Sequence, residues 1–488
     1  MDIYKPGREV TMKKTSAEKQ NIFIIICDQL SAAALASYGN TYSQTPNLDS
    51  LAADSVIFDH AYTNCPLCQP SRASFWTSRY PHQTDIRSNL PDQGFPALAD
   101  HIPTLGEYFS RCGYQCIHFG KTHDYGALRG FEVIDSTEIK IPRTNPGIIF
   151  DYETYLDVDT TGKTVDFLNS SHDQPFLAVA DLQNPHNICA YIGENAAGRQ
   201  QHFPLCRELP PLPANFEFTD LPNRPEVIQY MCCAHRRQRQ VCGWKEEDYR
   251  YYLYAYYYYL EIVDRQIGEL LLALKHNNLE ENTLIVFFAD HGEGMAAHQL
   301  VTKYAAFYEE TNRIPLMFKG PGLNPGRIGG VCSLLDLFPT LLEYSGLVIP
   351  PVLEGSSLLP ELTGPSRQTG RDYVYGEWHD EFCGYTVPGR MICDTGYKYI
   401  CYAEANGEEL YNLADDPLET RNLAACPESR KVLALYRNKL KDQAARTNDD
   451  FFRLRTSGTA DYRQHPVGFH HHSGLSAVEH YAESQKKH

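Results

Sequence analysis

The residues best suited to covalent chemistry are Cys68-Gln69-Pro70-Ser71-Arg72, continuing Ala73-Ser74-Phe75-Trp76-Thr77-Ser78-Arg79. Cys68 is a nucleophile candidate, and Arg72 places a permanent cation close by. The overlapping Cys65-Pro66-Leu67-Cys68 also has the form of a CxxC redox or zinc motif. A zinc site needs a second ligand pair, no other CxxC occurs in the chain, and neither use accounts for Pro70-Ser71-Arg72. Two polar pairs suggest a metal. Asp28-Gln29 directly follows the isoleucine-rich run 21–27, and Asp290-His291 directly follows the apolar run 283–289. If both runs are strands of one parallel sheet, the pairs meet at the edge formed by the strands' C-terminal ends. Such oxygen-rich sets suit a hard divalent cation, and one imidazole also admits manganese. Calcium is the first expectation, with manganese or magnesium as alternatives. Each pair taken singly also suits a turn or a helix cap. Lys121-Thr122-His123 follows the run 114–119, and Asn184-Pro185-His186 follows the run 176–180. A lysine can face developing negative charge, and imidazoles near neutral pKa can move protons.

The Cys68 segment resembles the signature of the type I sulfatases, in which Cys-x-Pro-Ser-Arg precedes a helix and a Thr-Gly-Arg-like end. Ser78 stands where that family usually has Gly, and Trp76 where it usually has Leu. The resemblance implies that a maturation enzyme converts Cys68 to formylglycine. A simple cysteine or serine nucleophile would leave a covalent sulfate ester that a second attack must break. A hydrated aldehyde carries two hydroxyls on one carbon: one attacks sulfur, and the other expels sulfate and restores the aldehyde. The resemblance further implies that Asp28, Gln29, Asp290 and His291, with residue 68, ligate the metal. Many relatives have Asp-Asp where this chain has Asp28-Gln29, which lowers the site's negative charge. Lys121 and His123 look like the family's Gly-Lys-x-His element, His186 like its Pro-His element, and Lys303 like the lysine that grips the sulfate. Cys68, Arg72, Lys121, His123, His186 and Lys303 are thus the expected catalytic set, and Lys121, His186 and Lys303 also bind substrate. Asn89 is a further candidate pocket contact, whereas His298 stays outside the set. Thr45-Pro46-Asn47-Leu48-Asp49-Ser50-Leu51-Ala52 and the late Glu409-Leu410-Tyr411-Asn412-Leu413, Asp416-Pro417 and Asn422-Leu423 also resemble family motifs. The implied fold is alkaline-phosphatase-like: a large mixed or parallel α/β sheet between helices, plus a small C-terminal α+β domain on an antiparallel sheet.

The elements that must position these residues have their own signals. Runs 21–27, 114–119, 176–180 and 283–289 read as buried strands. A helix starts at Pro46 and runs through Ala53. Residues 248–276 form a long helix with Leu260, Val263, Ile267, Leu270, Leu271 and Leu274 on one stripe. Its run Tyr256 to Tyr259 reads as packing surface. Strands alternating with helices imply an α/β sandwich. Residues 362–369 are rich in Gly, Pro, Ser and Thr and read as a linker, followed by strands at 373–377 and 398–402 and a helix near 430–445. The expected division is an N-terminal extension 1–20, a catalytic α/β domain 21–365, a small domain 366–445 and a tail 446–488 with histidines at 470–472.

With 488 residues and 42% hydrophobic content the chain can bury a large core. A net charge of −17 argues against nonspecific binding to nucleic acid or anionic membrane. An anionic substrate would therefore need a local positive pocket. The 15 cysteines are scattered through apolar runs, a pattern of reduced thiols more than of a disulfide framework. No signal-like stretch occurs in the first twenty residues and no long apolar span elsewhere, so a cytoplasmic protein is expected, or a periplasmic one if a leader has been removed. The arginines at 236, 237 and 239 read as a solvated loop, with contact to an anionic glycan as the other use. Three functions fit: a sulfatase, leaning to a sulfated carbohydrate; a phosphonate or phosphate-ester hydrolase of the same fold; and an inactive anion-binding relative. Glu377, Trp378 and His379 are candidates for substrate specificity. Oligomeric state is not readable.

Overall fold

The structure is a computed structural model that describes residues 19–89, 97–134, 152–196, 203–217, 220–241, 243–301, 303, 306–365, 368–379, 381–382, 384–405 and 407–461. Among these, nine strands form the large sheet: β1 Asn21–Cys27, β2 Val56–Tyr62, β3 Gln115–Gly120, β4 Glu132–Ile134, β5 Phe176–Leu182, β6 Thr283–Ala289, β7 Arg313–Ile314, β8 Leu316–Lys319 and β9 Gly326–Ser333. Their order is β4-β3-β5-β1-β6-β8-β2-β7, with β9 paired to β2. From β4 to β6 the pairing is parallel; β8 then runs antiparallel to both β6 and β2. The sheet is therefore mixed, with a parallel half that carries the chemistry. Every residue of β1, β5 and β6 is buried, which is why each is a near-continuous apolar run.

Register brings the polar ends together. Cys27 pairs with both Leu182 and Ala289, and Gly120 pairs with Asp181. The residues that follow β1, β3, β5 and β6 thus leave the sheet at one edge, as the sequence predicts. The helix Glu246–His276 covers the sheet with Leu260, Val263, Ile267, Leu270 and Leu274 buried. Its Asp264 accepts from the backbone of Asn47 and Leu48 and so holds the helix Pro46–Ala53 in place. The helix Cys68–Thr77 is buried on all sides and ends at Ser78, in the left-handed region at φ 50°. That conformation explains the family's preference for glycine there. Ser78 instead uses its hydroxyl, which donates to Leu335 O at 2.7 Å and accepts from Gly355 N at 3.0 Å.

The small sheet runs β10 Val374–Trp378, β13 Gly389–Cys393, β14 Tyr397–Tyr402 and β15 Glu408–Asn412, all antiparallel, with the short pair β11 Glu381–Phe382 and β12 Tyr385–Thr386 beside it. The helix Arg430–Thr447 packs on it. The short helix Leu359–Thr363 runs into the expected linker, and Thr369 Oγ1 donates to Val331 O at 2.7 Å. The expected tail begins later than 446. Asp449 takes both Nε and Nη2 of Arg390, at 2.6 and 2.9 Å, and Phe451 is buried in the small domain's core. The histidines at 470–472 lie outside the described residues. The cysteines among the described residues are free thiols. No helix among these residues is long and apolar enough to cross a membrane.

Candidate active site

Cys68 is the first residue of its helix and is 1% exposed. Its Sγ lies 3.1 Å from His291 Nε2, 3.0 Å from Lys303 Nζ and 3.8 Å from Asp28 Oδ1. In matured protein the Cβ of residue 68 would be the aldehyde carbon, and its oxygen would take the place of this sulfur. The helix start is secured by Asn89, whose Oδ1 accepts from Gln69 N at 2.9 Å. Asn89 thus acts here as a cap on the nucleophile's helix.

Asp28, Cys68, Asp290 and His291 place their ligand atoms within 4.8 Å of one another, all buried. The donor chemistry suits a hard cation. His291 Nδ1 lies 2.9 Å from Gly292 O and donates to it, which leaves the Nε2 lone pair facing the carboxylates. Burial pushes the His291 pKa well below its ordinary value, Asp290 opposing and Lys303 reinforcing, so the ring is neutral and able to ligate. Burial alone would raise Asp290, but the cations Arg72, Lys121 and Lys303 outweigh it and keep the carboxylate ionised. Asp290 Oδ1 accepts from the backbone N of Gln29 at 3.1 Å and of His291 at 2.9 Å. The Gly292 turn is forced by packing, since a Cβ there would meet Glu310 O at 2.0 Å.

Two lysines meet this cluster. Lys121 Nζ contacts Asp28 Oδ2, and Lys303 Nζ lies 2.7 Å from Gln29 Oε1 and 2.9 Å from His291 Nε2. They supply the local positive charge that a net acidic protein needs to hold an anion. Gln29 therefore turns its amide oxygen toward the same pocket as the carboxylates. His123 lies two residues beyond Lys121; burial first, then Lys121, push its imidazole down to about 2. The turn that leads to His186 is fixed by Asp157, which accepts from Gln183 N at 2.5 Å and Asn184 N at 2.9 Å.

Arg72 is fully buried and acts through other residues. Its Nε donates to Asp290 Oδ2 at 3.0 Å, while Nη1 and Nη2 hold Asp181 at 2.5 and 3.0 Å. His118 Nε2 lies 3.2 Å from Asp181, and Trp76 Nε1 donates to Asp124 at 2.6 Å beneath the same arginine. Arg72 is thus a positioning residue for Asp290. The sequence reading missed Asp181, although an aspartate inside the otherwise apolar run of β5 was the available signal. It also missed the tyrosine hydroxyls. Tyr256 donates to Gln29 O at 2.7 Å, and Tyr252 donates to Glu293 Oε1 at 2.8 Å, so the packing helix also ties down the metal loop.

Other expectations are corrected. Trp378 is fully buried, and Glu377 is spent on His82, accepting from its backbone N at 3.0 Å and lying 2.6 Å from its Nδ1. Glu377 thereby ties the small domain to the large one. The arginine run is the helix Arg236–Gln240, not a loop, and Arg237 Nη1 donates to Cys189 O at 2.6 Å. His298 packs on Tyr308, with ring centroids 4.7 Å apart.

The Sulfatase family profile matches residues 20–347, and that of the N-sulphoglucosamine sulphohydrolase C-terminal domain matches 298–446. The chain belongs to the sulfatase family, and it is a sulfuric ester hydrolase. It is 42% identical over 466 residues to a Delta 4,5-hexuronate-2-O-sulfatase of Bacteroides thetaiotaomicron, covering 95% of this chain and 96% of that one. A solved 2-O GAG sulfatase superposes with TM-score 0.86 at 42% identity, covering 95% of this chain and all of the other. The phosphonate monoester hydrolase of Agrobacterium radiobacter shares the fold, with TM-score 0.72 at 24% identity, over 88% of this chain and 96% of that one. The family implies a formylglycine and a divalent metal.

Proposed function

We propose that this sulfatase removes the 2-O-sulfate from a 4,5-unsaturated hexuronate of a glycosaminoglycan fragment. The observation that carries the substrate is the near-full-length likeness to a hexuronate-2-O-sulfatase, with the pocket of Asp28, Cys68, Lys121, Asp290, His291 and Lys303 intact in this chain. The same lysine and histidine at 121 and 123 favour a sulfate monoester over a phosphonate ester.

Lys121, at the end of β3, and Lys303, after β6, bind the sulfate oxygens, over which negative charge is spread. His186 gives a proton to the departing sugar oxygen, a poor leaving group that needs one. His123 is kept neutral by burial and Lys121. Asp28, Asp290 and His291, with Gln29 Oε1 as a further donor, would hold the cation, which we assign as calcium from its oxygen-rich donors; it supplies Lewis acidity toward the sulfuryl group. Formylglycine at residue 68 supplies the nucleophile together with its release step. Because Cys68 and its helix are buried in the folded chain, we assign maturation to an enzyme that acts before this segment closes.

The test is regioselectivity. Sulfate release is compared on unsaturated disaccharides sulfated only at the uronate 2-O, the glucosamine 6-O or the glucosamine nitrogen. The proposal expects release from the first alone. Preference for either glucosamine position overturns the substrate while leaving the sulfatase assignment intact.

A further inference from the structure

Gln29 sits with φ at 66°, a left-handed backbone that a non-glycine residue adopts at a cost. All four of its polar groups are engaged. Its N–H donates to Asp290 Oδ1 at 3.1 Å, and its carbonyl accepts from Tyr256 at 2.7 Å. Its side-chain oxygen accepts from Lys303 Nζ at 2.7 Å, and its side-chain nitrogen donates to Glu293 Oε2 in a short contact. A carboxamide has one accepting end and one donating end, so what faces one end decides what the other can hold. Glu293 is 0% exposed, and its second oxygen accepts from Tyr252 at 2.8 Å. Its own direction is set by the backbone, with Gly292 N to Thr311 O at 2.8 Å and Glu293 N to Glu310 O at 3.1 Å.

We propose that Glu293 is a positioning residue for catalysis: by accepting from Gln29 it fixes the amide so that the oxygen faces the pocket shared by Lys303 and the metal ligands. The pairing also accounts for the amide at position 29. A carboxylate there would face the buried Glu293 carboxylate, a like-charge pair without solvent to screen it. In this chain one carboxylate and one amide form the pair, and their order can in principle be exchanged.

That exchange is the test. Gln29→Glu is isosteric and sets two carboxylates together, so kcat should fall by about a hundredfold, the scale of one lost electrostatic contact. Adding Glu293→Gln restores one amide and one carboxylate in reversed order and should recover about tenfold or more of kcat relative to Gln29→Glu alone, a coupling that independent residues do not show. Glu293→Gln alone keeps an accepting oxygen for Gln29 and should cost less than Glu293→Ala. Binding of inorganic sulfate, measured by calorimetry at constant ionic strength, gives a readout without turnover. It should weaken in Gln29→Glu and return in the exchanged pair. An exchanged pair no better than Gln29→Glu in both measurements overturns the proposal. So does Glu293→Ala with wild-type kcat and sulfate affinity. If Glu293→Ala does not fold, the exchange decides alone, because both of its substitutions keep side-chain shape.

Discussion

Replacing Arg72 by lysine keeps the buried positive charge but removes the fork that joins Asp290 to Asp181. Three charge-assisted hydrogen bonds, at 2.5, 3.0 and 3.0 Å, leave one guanidinium. A lysine ammonium is a point donor and cannot span both carboxylates in this geometry. Losing two such bonds, each worth about 1.5–3 kcal/mol, with part returned by the retained charge, gives a net destabilisation of about 3 kcal/mol. The loss falls on Asp290, whose Oδ2 accepts from Arg72 while Oδ1 faces the ligand cluster. Loosening a group that orients a metal ligand weakens metal affinity by about 10–100-fold. The assay has two arms: denaturant unfolding of the metal-free protein, and sulfatase activity across a calcium titration. Arg72→Lys should show lowered stability and a half-saturating calcium concentration raised by that factor, with most of kcat returning at saturation. Unchanged calcium dependence beside a collapsed kcat would show that Arg72 touches the reaction directly and would refute this reasoning.

Lys121→Ala and Lys303→Ala should each lower kcat/KM by about two to three orders of magnitude on sulfate esters, since each removes one contact to developing charge; near-wild-type kinetics would remove them from the set. Asp290→Ala should fold, by circular dichroism, yet bind no calcium in calorimetry, because no neighbour replaces its charge. His186→Ala should slow sugar sulfates more than aryl sulfates with good leaving groups, a ratio read from paired kinetics. Burial would raise Asp449, but Arg390 holds it down from 3.8 to about 2. A folded pKa below the unfolded one stabilises above the unfolded value and is lost as pH falls from about 4 toward about 2. Asp449→Asn should erase that acid-dependent stability, on the order of 2 kcal/mol, in unfolding curves across this window.

The parallel half of the sheet was legible because β1, β5 and β6 are buried on both faces and so appear as unbroken apolar runs. The pocket was legible for a related reason. Polar residues directly after such runs, Asp28, Lys121 and Asp290, emerge at one edge whenever the strands are parallel and in register. What stayed hidden were residues whose partners are far away in sequence. Asp181 meets Arg72 and Glu293 meets Gln29 only through folding, and a single letter in a run does not announce its partner. Tyr252 and Tyr256 read as apolar packing because their hydroxyls add nothing to periodicity. The contact of Glu377 with His82 was hidden too, because an acidic-aromatic cluster looks the same whether it faces a ligand or a domain contact. The arginine helix at 236–240 was hidden by a charge run too short to show a period.

The central claim is that residue 68, once an aldehyde, performs the desulfation. The most direct measurement pairs two readings on one preparation: the mass of the peptide containing residue 68, and sulfate released from a 2-O-sulfated unsaturated uronate. Fractions should release sulfate in proportion to the peptide that carries the aldehyde, and Cys68→Ala should release none above background. Full release from protein whose residue 68 is wholly a thiol, or from Cys68→Ala, would contradict the account.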